Sequence, residues 1–189
     1  KQTEWGRVAT LYINAGTLAW AAWAFRSVWL EYAALVLLPA AVGLNLAAAR
    51  VPVGWVNLGL AGMAALFLLY GKLVRPLLYG RHVAQASEPS ERAAGIALAR
   101  PLMVPPYLVA YALVIIALAW PQQTEVSRIA TLYAVSGVFA LSAWIFRTEL
   151  WSFLGAAGLF ASVWLTLSHY QLSPHFQNLL FAGLASTYI

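Results

Sequence analysis

Long apolar stretches separated by short polar breaks run the length of the chain. A helix crossing a ~30 Å hydrocarbon core needs about 20 mostly apolar residues. Such stretches lie at 5–26, 30–49, 53–71, 102–120, 126–147, 150–168 and 174–189. The pattern predicts about seven transmembrane helices. The third boundary is the least sharp, because Lys72, Arg75 and Pro76 interrupt an apolar run that continues to Tyr79. Barrel strands would show alternating segments of ~10 residues, whereas these runs are continuous and rich in Ala and Leu. The expected fold class is all-α, a polytopic transmembrane helix bundle.

Composition supports that reading. Of 189 residues, 62% are hydrophobic and 9% charged, against about 25% charged in soluble domains. An ordinary water-soluble fold and a disordered chain are both excluded. There is no Cys, so disulfides and thiol chemistry are absent. Arg26, Lys72, Arg75, Arg81, Arg92, Arg100 and Arg147 fall on one side of the expected bundle, and Lys1, Arg7, Arg50 and Arg128 on the other. Positive residues concentrate on the cytoplasmic face, so the 72–100 loop is expected to be cytoplasmic and residue 1 to lie outside.

The chain also repeats itself. Gln2-Thr3-Glu4, Arg7, Ala9-Thr10-Leu11-Tyr12, Gly16, Ala19, Ala22-Trp23 and Phe25-Arg26 recur 121 residues later. The second copy reads Gln123-Thr124-Glu125, Arg128, Ala130-Thr131-Leu132-Tyr133, Gly137, Ala140, Ala143-Trp144 and Phe146-Arg147. Without a gap, 24 of 68 aligned positions agree, through Asn57-Leu58/Asn178-Leu179 to Ala61-Gly62/Ala182-Gly183. Four helices separate the copies, so both run in the same direction, a parallel rather than an inverted repeat. Residues 1–121 form a first four-helix unit, and 122–189 a second that stops after its third helix. The chain reads as an excerpt, with a fourth helix expected after Ile189.

The repeated residues suit a membrane helix. Thr3 and Thr124 are N-cap types, and Glu4 and Glu125 follow in the first turn, where the helix dipole favours negative charge. Arg26 and Arg147 stand at the far end as interfacial anchors. Tyr12, Gly16, Ala19 and Trp23 fall on one stripe, as do Tyr133, Gly137, Ala140 and Trp144, and small residues in such a stripe let helices approach closely. A helix-packing seam is expected there, and Gly16→Leu is expected to disturb it by overlap.

Candidate chemistry is sparse. All six acids are Glu, each near a predicted helix end or in the long loop, which counts against a proton relay at mid-bilayer. Pro101, Pro105 and Pro106 crowd the start of the fourth span, and interrupted helices are pointers to transporter sites. With Asn57 and Asn178 they make a possible polar or broken-helix site. In the 72–100 loop, Ser87-Glu88-Pro89-Ser90-Glu91 can cap a short interfacial helix, touching anionic head groups or a partner subunit. His82, His169 and His175 are the three histidines, and His169 and His175, six residues apart, have no acid or Cys nearby in sequence to complete a metal site. No cofactor is expected; a haem or chlorophyll-type pigment on a histidine is the remote option. The nine Trp and nine Tyr suit interfacial belts. Nucleic acid is not an expected partner, since topology accounts for the positive charge.

No catalytic motif is visible, so an enzyme is not the favoured reading. The leading expectation is a non-catalytic integral-membrane subunit or scaffold packing against other membrane chains, lipids or pigments. The alternative is a transporter or channel module built from parallel four-helix repeats. A scaffold buries the Tyr12 and Tyr133 stripes; a transporter has a polar cavity lined by Asn57 and Asn178 or by the backbone near Pro105.

Overall fold

A computed structural model describes residues 4–25, 27–78, 105–120 and 124–171, with His175, Asn178 and Ala182 besides. Among these the protein is helical throughout, with no strand. Six helices are present: α1 (Glu4–Phe25), α2 (Val28–Ala48), α3 (Val53–Leu69), α4 (Pro105–Ala119), α5 (Glu125–Phe146) and α6 (Glu149–His169). Four are long and apolar enough to cross a membrane: α2, α3 with its extension, α5 and α6. The α4 helix is apolar but has only 15 residues, about 22 Å at ~1.5 Å per residue. The expected seventh span lies outside the described residues, apart from His175, Asn178 and Ala182, which are helical. Thr3, Arg26, Pro101 and the loop beyond Leu78, with its Ser87–Glu91 cap, also lie outside them.

The third span differs from expectation. It does not end at 71 but continues past Lys72 and Arg75 to Leu78, through a π turn at Tyr70–Val74 in which the Arg75 N–H donates to the Tyr70 carbonyl five residues back. The cause is Pro76. Proline has no N–H and crowds the carbonyl four residues earlier, and a wider turn just upstream lets the helix continue.

Two hairpins flank a central pair. The α1 helix packs along α2 and α5 along α6, while α3 lies against both α4 and α5. The hairpins match in bounds: Glu4–Phe25 and Val28–Ala48, moved by 121 residues, coincide with Glu125–Phe146 and Glu149–His169. Each ends on a left-handed residue, Arg50 and Gln171. Thr124 caps α5 as its sequence suggests, its hydroxyl accepting from the Ser127 N–H.

Within the described residues the buried seams lie beside the stripes singled out by their repetition. On α3, Gly54, Asn57, Ala61, Ala64, Leu68 and Gly71 are all buried, at spacings of three and four that put them on one face. Ala61, Ala64, Phe67 and Leu68 join Tyr107, Ala110 and Leu113 of α4 and Val135, Val138 and Ile145 of α5 in the core. On α1 the buried residues are Val8, Ala15 and Ala22, beside the expected stripe rather than in it. Gly16, Ala19, Trp23, Tyr133, Gly137, Ala140 and Trp144 are exposed, and Tyr12 is half-buried. A side chain added at Gly16 or Gly137 would meet nothing within 4 Å. The expected clash of a larger residue at Gly16 is therefore corrected.

Close approach occurs at Gly71, where a Cβ would lie 2.5 Å from the Tyr107 ring. That ring is buried and stacks edge-on against Phe146 at 4.9 Å, so it cannot swing aside. Gly71→Ala is expected to lower stability by about 1–3 kcal/mol, the usual cost of overpacking. Gly16→Ala should instead raise it by up to about 1 kcal/mol, the helix-propensity difference. Thermal unfolding of both variants in one detergent checks the contrast, and equal effects would refute it.

Candidate functional site

The first turn of α2 carries Glu31 on its inner face, and the residue is only 4% exposed. The far end of α3 brings Arg75 to it. Arg75 Nε lies 3.0 Å from Glu31 Oε1 and 3.3 Å from Oε2, and Nη2 lies 3.3 Å from Oε2. The Tyr70 hydroxyl donates to Oε1 at 3.4 Å. In a regular helix, residues five apart point about 140° away from each other. The π turn closes one turn in five residues, so Tyr70 and Arg75 reach the same carboxylate.

This pair corrects the view of Glu31 as an ordinary helix-end acid and of Arg75 as a loop cation. An ionisable residue among membrane helices is costly and pairs with a partner, and burial makes this pair hard to break one member at a time. The sequence signal for it was Pro76 within an apolar run that continues to Tyr79, since a proline inside a helix disturbs the turn before it. The register of Glu31 against that turn was not readable.

Beside the pair lies an open-sided cavity of about 490 Å³ lined by α1, α2, α3 and Tyr70 of the π turn. Its α1 wall consists of Tyr12, Ala15, Gly16, Ala19 and Ala22. Leu35 and Leu38 of α2 and Met63, Leu66 and Phe67 of α3 complete the apolar lining, with Glu31 and Tyr70 at one end. The Tyr12 stripe thus faces a cavity.

The expected polar site does not assemble. Asn57 is buried to 1% exposure, and among the described residues neither its amide nitrogen nor its oxygen has a partner; Asn178 is exposed. Neither residue lines the cavity. Pro105 and Pro106 are buried in the first turn of α4, where a missing N–H is tolerated, and α4 runs without interruption to Ala119. The irregular backbone lies in α3 instead.

Other polar groups are tied down locally. Thr131, Ser136, Ser142, Ser162 and Thr166 each donate to the carbonyl four residues earlier. Tyr111 donates to the Ser142 hydroxyl at 2.9 Å and stacks on Trp151 at 4.7 Å. Among the described residues Trp151 is the one tryptophan not exposed, so this ring belongs to the interior rather than to a belt. His169 Nδ1 lies 2.7 Å from Glu125 Oε2, which places an acid beside a histidine that had none nearby in sequence. Among the described residues no three His or Glu side chains gather as a metal site. Arg147 occupies the C-cap of α5, left-handed and exposed.

No family model, no curated protein and no solved structure matches the chain.

Two stability predictions follow from these burials. Arg75→Leu leaves Glu31 unpaired and is expected to cost about 3–5 kcal/mol, while Glu31→Leu combined with Arg75→Leu recovers most of the loss; a double-mutant cycle by unfolding in detergent reads the difference. Asn57→Leu, close in volume, removes an unsatisfied amide worth ~1–3 kcal/mol and should raise the melting temperature. A lower one would mean that Asn57 is hydrogen-bonded in the folded protein.

Proposed function

We propose that the chain is a non-catalytic integral-membrane subunit, built from parallel four-helix units, whose outer faces pack against lipid and against other membrane chains. The observation that carries this reading is where the large apolar side chains point. Trp5, Trp20, Trp23, Trp29, Leu66, Ile115, Trp144 and Phe153 are exposed, while the bundle interior is built from Ala, Gly, Ser and Thr together with a smaller set of Leu, Val and aromatic residues. In water that surface would aggregate; in a bilayer it is the ordinary solvent-facing surface. Gly16 and Gly137 are exposed, with nothing within 4 Å of an added Cβ, which leaves room for lipid or a neighbouring chain beside them.

Coincident helix bounds at the 121-residue offset, with left-handed residues at Arg50 and Gln171, support the duplication. The full reading has seven spans in this stretch, the last at 174–189, with the 72–100 loop on the cytoplasmic side. The π turn beside a buried ion pair favours transport as the second reading, since irregular backbone and intramembrane charge mark many carrier sites. The apolar lining of the cavity weighs against passage of a polar solute.

The absence of Cys makes the topology testable with single cysteines. A cysteine at Ser90 should react with an impermeant maleimide only in inverted vesicles, and one at Val51 only in right-side-out cells. The protein should stay in the pellet after alkaline carbonate extraction. Release into the supernatant would overturn the membrane reading, and the opposite labelling would reverse the orientation.

A further inference from the structure

On the membrane and duplication reading above, we propose that the outward face of α1 is a docking surface for a second copy of this chain, which seats there the helix bearing its own His175, Asn178 and Ala182. The template is an interface inside the molecule. On α5, Ser127, Thr131, Val135, Val138, Ser142 and Ile145 are buried, at spacings of three and four that set them on one face. That face receives α3. Gly54 closes on Ser127 at one end, and Val135, Val138 and Ile145 share a core with Ala61, Ala64 and Leu68. At the other end the Tyr107 ring lies against both Gly71 and Phe146, so α3 and α5 run in the same direction.

The 121-residue offset carries this face onto Gly6, Thr10, Asn14, Thr17, Ala21 and Ala24 of α1. There Thr10, Asn14, Thr17 and Ala24 are exposed, on the far side of α1 from Val8, Ala15 and Ala22. Asn14 stands at the middle of the 22-residue α1. An amide turned to hydrocarbon at that depth is costly, and between two helices it finds a hydrogen-bonding partner. The other half of the interface is equally uncovered. His175, Asn178 and Ala182 stand at the repeat positions of Gly54, Asn57 and Ala61, and they are exposed where their counterparts are buried.

Bulk is exchanged between the two halves. A side chain at Gly54 would overlap the Ser127 hydroxyl, whereas His175 would meet Gly6, which has no side chain. In the same register Asn178 comes about level with Thr10, and Ala182 with Asn14. The donor is a second copy rather than the same chain, because α1 packs along α2, while residues 175–182 follow α6, which packs along α5 in the other hairpin. Two different surfaces meeting in this way make a heterologous contact, which closes into a ring or grows as a row.

The chain has no Cys, so single cysteines report the contact without background. Gly6→Cys and His175→Cys variants carrying different tags are co-expressed, and their membranes are treated with copper phenanthroline. A disulfide needs Cβ atoms about 4 Å apart. The mixed pair should give a cross-linked dimer at least tenfold above Trp5→Cys mixed with His175→Cys, since Trp5 points about 100° away from Gly6. Asn14→Trp or Thr17→Trp in the Gly6→Cys chain should cut the yield fivefold or more. The melting temperature of the monomer in dilute detergent should not fall, because both positions are exposed. Dimers of Gly6→Cys alone would show a two-fold contact and overturn the docking surface. So would a Gly6→Cys/His175→Cys double variant that closes within one chain while the mixed pair gives no dimer. A silent mixed pair, where Gly54→Cys with Ser127→Cys cross-links within one chain, would overturn it too. A chain that is not integral fails at carbonate extraction, so the two failures are distinguishable.

Discussion

Glu31 and Arg75 can share an apolar bundle only if they stay together, and much of the molecule is arranged around that need. Holding them requires the end of α3 to reach the start of α2, which requires a turn that closes in five residues. The widened turn leaves Gly71 without bulk toward α4, and the Tyr107 ring occupies the space. Tyr107 in turn meets Phe146 at the end of α5, and Phe146 and Tyr111 both meet Trp151 of α6. One ion pair is thereby connected through contiguous contacts to the second hairpin. Its net contribution to stability is small while it stays intact; its effect is to fix how α2, α3 and α4 sit on one another.

A second constraint comes from the surroundings. On the membrane reading proposed above, the surrounding lipid is as apolar as a leucine side chain, so burying leucine between the helices gains little, and tight packing must hold them instead. The distribution of residues follows. Ser127, Thr131, Ser142 and Ser162 are buried, with hydroxyls returned to their own helices, while most of the tryptophans look outward. Small and hydroxyl residues let the backbones come close, and the large apolar ones meet the solvent.

How much of this could be read in advance depended on the range of the signal. Helix existence and type follow from apolar runs, and all six helix starts fall within about three residues of those expected from the pattern. The α5 N-cap was legible because capping is decided within four residues. The packing faces were not. Repetition drew attention to Tyr12, Gly16, Ala19 and Trp23, yet the buried face of α1 is one position back, at Val8, Ala15 and Ala22, and a 100° rotation about a helix axis leaves no trace in a uniformly apolar sequence. Glu31 and Arg75 were visible singly, but their meeting spans 44 residues and depends on a phase shift that a 3.6-residue period cannot express. Asn57 and Asn178 looked equivalent by repetition and differ by environment.

That last contrast extends to the hairpins as wholes. In the second, Gly155 brings α6 so near α5 that a Cβ would stand 3.2 Å from the Ala140 nitrogen, and Gly158 admits Ser136 in the same way. The corresponding positions in the first hairpin are Ala34 and Leu37, and Ala34 lines the cavity. The matching tyrosines follow suit: Tyr133 reaches Thr166 across the tight hairpin at 3.3 Å, whereas Tyr12 lines the cavity. Two frames with the same helix bounds thus differ in what lies between them: glycine and hydroxyl contacts in the second, and in the first a cavity beside a buried charge pair.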